Sequence, residues 1–347
     1  MKINNIEIGI GKPPVIIAEM SGNHNHLLER ALQIVEEAAN AGAHMVKLQT
    51  YTADTITLDV EEGEFFISDA NSLWKGRSLY SLYKEAQTPW EWQKEIIERA
   101  KALGLTCFSS VFDESSVDFL ENLDVPAYKI ASQECIHLPL IHKVALTNKP
   151  IIMSTGMASL AEIDEAVNMI RKTGSSEIIL MKCTSSYPAS SENSNILTIP
   201  YLRKVFDCEV GLSDHTLGVG VAVAAVAQGA TLIEKHFTLS RADGGIDSAF
   251  SMEPHEMQQL VKETGRAWKS LGQIYFGPTN AEKSSMTGRR SLYISKDMHA
   301  GEKLTKINLR VIRPNLGLAP KYYEVVLGRK VSKDVKKGTP LNWDLIE

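Results

Sequence analysis

No apolar run in this sequence approaches the ~18 residues that a membrane-spanning helix needs, so no membrane partner is expected. The opening residues, MKINNIEIGIGKPP, lack the basic-then-apolar order of a signal peptide, which predicts a cytoplasmic protein. Cysteine is scarce. Cys107, Cys135, Cys183 and Cys208 are widely spaced and form no C-x-x-C pair. That spacing fits neither a disulfide framework nor a thiolate zinc site, and it predicts reduced thiols packed as small apolar residues. There is no excess of cations either: 37 Lys and Arg face 42 Asp and Glu, a net charge of -5. Phosphate backbones are bound through cation-rich surfaces, so nucleic acid is not an expected partner, although a local basic cluster is enough for a small anion. With 44% hydrophobic and 23% charged residues, nothing points to disorder or a fibrous repeat.

What the sequence does contain is alternation. Short β-rich apolar runs recur between about residues 14 and 271: VIIAEM (15–20), HMVKLQT (44–50), LTCFSS (105–110), AYKIAS (127–132), PIIMST (150–155), EIILMKCTS (177–185), CEVGLSDH (208–215) and ATLIEKHF (230–237). Helical spacing separates them, as in Leu28, Ala31, Val35 and Ala38, or Leu160, Ile163, Val167 and Ile170. Eight βα units close a TIM (β/α)8 barrel, and the 347 residues leave room for one of ~250 residues plus a small further domain. We therefore read residues 1–271 as the barrel, 272–290 as a linker and 291–347 as a small β-rich domain. In the last of these the pattern Lys-Asp-apolar-x-x-Gly-x-x-Leu begins at Lys296 and again at Lys333, which predicts a pseudo-symmetric module with little core of its own. One barrel connection is too long for a plain turn. The stretch from Tyr51 to Thr88 carries Phe65, Phe66, Trp74, Tyr80 and Tyr83 and predicts a packed lid over the barrel mouth, or else a peripheral hairpin anchored by its aromatics.

TIM barrels place their chemistry at the carboxyl ends of the strands, and here those ends are polar throughout. Side chains alternate along a strand, so Lys47 and Gln49, Ser213 and His215, and Glu234 and His236 are same-face pairs. His215 and His236 end consecutive strands, beside Asp214 and Glu234, and paired imidazoles suit a first-row divalent metal such as Mn, Fe, Co or Zn. His24 is the one other histidine placed near a strand end. Lys47 and Lys129, among Ser110, Ser132, Ser154, Ser185 and Ser213, form a set of cationic and hydroxyl donors suited to a phosphate and a carboxylate. A buried lysine forming a Schiff base, as in an aldolase, is the competing chemistry.

The strings AEMSGNHN, KLQT, YKIASQE, IIMSTGM, KCTSSYP, GLSDHT, EKHFTLSR and DGGIDSAFSMEP resemble the sialic acid synthase family, and RRSLYISKDMHAGEKL with IRPNLGL resembles its antifreeze-like (SAF) domain. Within it, NSLWKGRSLYSLYKEAQTPWEW (71–92) and DGGIDSAFS look like the pseudaminic acid branch. Ser185 stands where the N-acetylneuraminate branch has Asn. The resemblance implies condensation of phosphoenolpyruvate with an acetamido-deoxy sugar, with a divalent metal (Mn2+, Mg2+ or Co2+) on His215 and His236. It implies that Lys47, Ser110, Lys129, Ser132, Ser154, Ser185 and Ser213 hold phosphoenolpyruvate and that Glu19, Gln49, Tyr187 and Asp247 face the sugar, with Glu19 as acid/base. It further implies a homodimer with a domain-swapped C-terminal domain, whose Arg313 reaches into the partner's barrel. Synthases of N-acetylneuraminic or legionaminic acid, a Schiff-base aldolase and a non-catalytic sugar- or ice-binding protein remain open at this point.

Overall fold

The computed structural model describes residues 1–70, 72–175 and 177–347; Asn71, which opens the NSLWKG run, lies outside them. The chain divides into two compact units, Met1–Gly272 and Gln273–Glu347.

In the first unit, among the described residues, eight parallel strands close into a barrel: β1 (Val15–Glu19), β2 (Met45–Thr50), β3 (Thr106–Val111), β4 (Tyr128–Ile130), β5 (Ile151–Ser154), β6 (Ile178–Cys183), β7 (Glu209–Ser213) and β8 (Leu232–His236). Each is followed by an outer helix: α1 (Leu28–Asn40), α2 (Trp90–Ala102), α3 (Glu114–Asn122), α4 (Leu138–Leu146), α5 (Leu160–Lys172), α6 (Thr198–Phe206), α7 (Gly220–Ala227) and α8 (Pro254–Leu271). Parallel strands covered on both faces read as unbroken apolar runs, and β1, buried at all five positions, is one. Its outward residues Ile16 and Ala18 pack with Ile34, Val35 and Ala38 of α1. Its inward Val15 and Ile17 join Met45, Phe108, Ile152 and Leu232 in the barrel's lower layers, with Ile3 and Ile8 from an N-terminal hairpin. Local signals agree with these boundaries. Asp113 caps α3 by accepting from the Ser116 N–H, Ser159 and Glu162 form a capping box on α5, and Gly42 (φ 85) closes α1 in the left-handed conformation that a side chain would oppose.

Register then decides what meets at the top. His236 pairs with Glu19, Glu19 with Lys47, Gln49 with Ser110, Ser110 with Lys129, and Ser213 with Glu234. The two-residue period that points Ile17, Met45 and Phe108 inward below therefore points Glu19, Lys47 and Ser110 inward above. Among residues 51–70 and 72–88 are two short α-helices, Ala53–Ile56 and Leu79–Ala86, and an antiparallel bridge between Phe66 and Ser78. Trp74 pins this lid by donating its indole N–H to the Ile246 carbonyl at 3.0 Å.

The second unit pairs β9 (Ser291–Ile294) with β10 (Leu309–Ile312) around a small core that includes Leu292, Met298, Leu304, Val331, Val335 and Leu341. Its sequence repeat appears as a two-fold exchange of bonds. Met298 and Val335 exchange backbone hydrogen bonds at 2.9 Å, Asp297 accepts from the Lys337 N–H at 2.8 Å, and Asp334 accepts from the Ala300 N–H at 2.9 Å. Among the described residues no helix is long and apolar enough to cross a membrane.

Candidate active site

A cavity of about 430 Å³ opens over the carboxyl ends of the strands. Of the residues singled out in the sequence, Lys47, Gln49, Ser110, Lys129, Ser132, Ser154, Tyr187, Ser213, His215, His236 and Asp247 line it. Glu19 does not. It is fully buried beside the floor, with its Oε2 2.8 Å from the Lys47 ammonium and its Oε1 accepting from the Ser21 N–H, so it meets the cavity through Lys47 and Ser21. Ser185 lies behind the wall, where its hydroxyl and that of Ser132 crowd against Gly156 so closely that a Cβ there would collide with both. Arg313 belongs to the second unit, in which it lines a surface cleft with Arg289 and Arg290.

The imidazoles of His215 and His236 stand 5.3 Å apart, centroid to centroid. His215 Nδ1 lies 2.9 Å from the Thr184 carbonyl. A carbonyl only accepts, so Nδ1 carries the proton and Nε2 keeps its lone pair. His236 Nδ1 is buried without a protein partner, and burial, then the neighbouring His215 and Lys47, holds the ring well below the usual imidazole range. The rings of Tyr187 and Phe250 wall the pair, 4.4 Å from His215 and 4.9 Å from His236 respectively. Among the described residues no three His, Cys, Asp or Glu side chains are grouped to chelate an ion. Two imidazoles, each with a ring nitrogen free of protein partners, fit a divalent cation whose other positions go to water and substrate. His24 has no such freedom, because Nδ1 accepts from the His26 N–H and Nε2 bonds Thr88.

Beside the imidazoles sits a cluster of buried charge. Lys47 Nζ is 3.0 Å from Glu234 Oε1, Lys129 Nζ is 3.5 Å from the same oxygen, and the Ser213 hydroxyl donates to it at 3.0 Å. Burial pulls Lys47 down to about 7 against the pull of Glu234, helped by the like charge of Lys129. Burial works to raise Glu234, but the Lys129 and Lys47 ammonium groups hold it below the usual carboxylate range. The hydroxyls of Ser110 and Ser154 and the second oxygen of Glu234 are buried with no protein partner. Two ammonium groups and unpaired hydroxyls on a buried floor suit an anion with several oxygens.

Some strand-end polar residues face the helices instead. Ser109 bonds Thr50, Lys182 donates to the Cys183 carbonyl, and Lys235 donates to Asp214 at 2.9 Å and to the Thr216 and Gly218 carbonyls at 2.6 and 3.0 Å. Trp74, one of the aromatics of the long connection, reaches the cavity tilted against Tyr187 at 6.0 Å, and two residues reach it without having been singled out: Ser21, which donates to Asp247, and Glu134. Burial pushes the Glu134 carboxyl up to about 7, and its Oε2 has no protein partner.

Comparison with known proteins matches residues 34–275 to the model of the NeuB family and residues 289–347 to that of the SAF domain. The chain belongs to the NeuB family. The NeuB match takes in every barrel strand but the first, and with it both imidazoles and both cavity lysines. Pseudaminic acid synthase of Helicobacter pylori is 42% identical over 338 residues, covering 97% of this chain and 98% of that protein. N,N'-diacetyllegionaminic acid synthase of Legionella pneumophila is 36% identical, covering 100% of this chain and 98% of that one. Among solved structures, the N-acetylneuraminic acid (sialic acid) synthetase of Leptospira borgpetersenii superposes with a TM-score of 0.73 at 32% identity, covering 82% of this chain and 94% of that one.

Proposed function

We propose that the chain is a pseudaminic acid synthase, which condenses phosphoenolpyruvate with 2,4-diacetamido-2,4,6-trideoxy-L-altrose. The observation that carries this reading is the 42% identity to the Helicobacter pylori pseudaminic acid synthase along 97% of the chain. The donor is an intermediate of central metabolism, which places the reaction in the cytoplasm.

In this reading Lys47, Lys129 and the hydroxyls of Ser110, Ser132, Ser154 and Ser213 hold the phosphate and carboxylate of phosphoenolpyruvate, with Ser185 set back beside Ser132 at Gly156, while Gln49, Tyr187 and Asp247 orient the sugar. His215 and His236 would hold a divalent cation, Mn2+, Mg2+ or Co2+, whose chemistry when bound is to polarise the sugar aldehyde. The C=C electron pair of phosphoenolpyruvate forms the bond to the aldehyde carbon, water adds at the phosphate-bearing carbon and gives up a proton that restores the acid, and the tetrahedral hydroxyl passes its proton to the departing phosphate as the C–O bond breaks and the keto group forms. Glu134, the protonatable carboxyl on the cavity wall, delivers the proton that the new hydroxyl needs. Glu19 acts through Lys47, fixing an ammonium that stabilises charge on the departing phosphate.

A homodimer with exchanged C-terminal units, in which Arg313 serves the partner's sugar site, is part of the proposal. Charge supports it: residues 273–347 carry 14 Lys and Arg against 7 Asp and Glu in a chain of net charge -5, so a basic unit and an acidic barrel attract.

The test supplies phosphoenolpyruvate, Mn2+ or Mg2+, and a panel of acetamido sugars, and measures phosphate. The diacetamido-trideoxy-altrose should give the fastest release, EDTA should stop it, and His236→Ala should lower it by at least ~10³-fold with the fold intact. Fastest release with N-acetylmannosamine or the legionaminic precursor would reassign the sugar. Metal-independent turnover with borohydride trapping of a lysine would make the protein an aldolase.

A further inference from the structure

The cavity has two unlike surfaces. Its floor, made by the strand ends, supplies the lysines, serines, imidazoles and carboxylates described above. The lid faces it with Ile56, Ile67, Trp74, Leu79, Leu82 and Tyr83. The one strong donor on the indole is already spent on the Ile246 carbonyl at 3.0 Å, so the Trp74 ring offers the cavity only its carbon surface. That ring tilts against Tyr187 at 6.0 Å, and Tyr187 in turn lies 4.4 Å from His215, so the apolar roof begins beside the imidazole pair.

We infer that this roof selects the sugar: Trp74, with Ile67 and Leu79, favours an acceptor that carries a methyl group at its far end over one that carries a hydroxymethyl there. The inference rests on the proposed condensation and adds the residues that set its specificity. An aldose held by its carbonyl end near the imidazoles extends its other end towards the lid. At Trp74, Ile67 and Leu79 a hydroxyl must leave water and finds carbon, whereas a methyl gains contact. Hydrophobic walls discriminate against an added hydroxyl by roughly 10- to 100-fold. Acetamido methyls on the same sugar find the same kind of surface.

The test compares two acceptors that differ by one oxygen, the 2,4-diacetamido-2,4,6-trideoxy sugar and its 6-hydroxy counterpart, by kcat/KM at saturating phosphoenolpyruvate. The native enzyme should prefer the deoxy sugar by more than ~10-fold. Trp74→Ala should cut that preference to within ~3-fold, chiefly by raising KM for the deoxy sugar, and leave KM for phosphoenolpyruvate, which the floor binds, within ~3-fold of native. A lid that merely holds the fold together would, when damaged, lower both sugars alike, so an unchanged ratio overturns the inference. Ile67→Thr, a smaller change on the same surface, repeats the measurement if Trp74→Ala does not fold: a reduced ratio supports the roof, and a native ratio overturns it. A native enzyme that uses the deoxy sugar but shows no preference also sinks the roof assignment and leaves the condensation standing. No turnover of any acetamido sugar sinks the condensation itself.

Discussion

Lys129 and Lys235 end strands of the same barrel and are equally buried, 2% and 1% exposed, yet they do opposite things. Lys235 faces the helices. An ammonium has three donors, and those of Lys235 meet Asp214 Oδ2 and the Thr216 and Gly218 carbonyls, which ties down the turn carrying His215. Lys129 faces the cavity, where its carboxylate partner is a Glu234 oxygen 3.5 Å away that Lys47 and Ser213 also use. Next to it the Ser110 and Ser154 hydroxyls have no protein partner at all. A completed set of bonds marks a structural lysine. An incomplete one, buried where leaving it incomplete costs free energy, marks a lysine kept for a ligand.

Substituting each lysine by methionine breaks this comparison most directly. Lys129→Met should lower phosphate release by ~10²- to 10³-fold, the usual cost of losing one preorganised charge donor, and move the thermal midpoint little, since the lost attraction to Glu234, which keeps Lys47 and Ser213, is offset by the lost repulsion with Lys47. Lys235→Met strands the Asp214 carboxylate in the interior and should cost about 3–5 kcal/mol of stability, read as a lower denaturant midpoint. If the Lys235 variant loses only activity, or the Lys129 variant only stability, the contrast drawn from bonding is wrong.

Arg313 extends the contrast between surfaces, and its effect should be smaller. Arg313→Ala should reduce kcat/KM for the sugar by ~10- to 100-fold without raising KM for phosphoenolpyruvate. Because the arginine is proposed to act on the partner's barrel, mixing Arg313→Ala with His236→Ala subunits and allowing exchange should raise activity above that of either variant alone. Activity that stays at the level of the unmixed variants would place the arginine in its own subunit's site, or in none.

Much of this architecture is legible from spacing. Parallel strands buried on both faces leave continuous apolar runs, and the eight runs coincide with β1–β8 because nothing else in the chain competes for that pattern. Alternation also sorts faces: Lys47 and Gln49 on β2, and Glu234 and His236 on β8, do line one cavity. Its limit is that it says nothing about what covers a side chain or about turns. Glu19 has the right face and stands level with Lys47 and His236, but its carboxylate is covered by the Lys47 ammonium and the Ser21 N–H. Glu134 lies on the short 3-10 turn Gln133–Ile136 beyond β4, where a two-residue period no longer applies, so its place on the cavity wall is invisible to strand counting. Trp74 is reached through a long connection whose path depends on tertiary contacts such as the one with Ile246.

Glu134 gives the smallest effect and the sharpest pH dependence. Burial raises its carboxyl from an ordinary 4.5 to about 7 in the folded protein. Below pH ~4.5 the group is protonated both folded and unfolded, and contributes no difference. Between ~4.5 and ~7 the folded protein holds a proton that the unfolded chain has released, so stability falls as pH rises through this window; above ~7 both states are ionised and the full penalty is present. Glu134→Gln imitates the protonated form at every pH. Its stability relative to the native protein should therefore be unchanged at pH ~4 and should rise to an advantage of at most roughly 3 kcal/mol at pH ~8, measured by denaturant titration across that range. Phosphate release should move the other way, because an amide cannot deliver the proton: the native rate should decline as pH passes ~7, and the variant rate should be low and flat. A variant that gains stability at high pH and keeps the native pH profile of turnover would leave Glu134 a buried acid with no part in the reaction, and would return the search for the proton donor to the floor of the barrel.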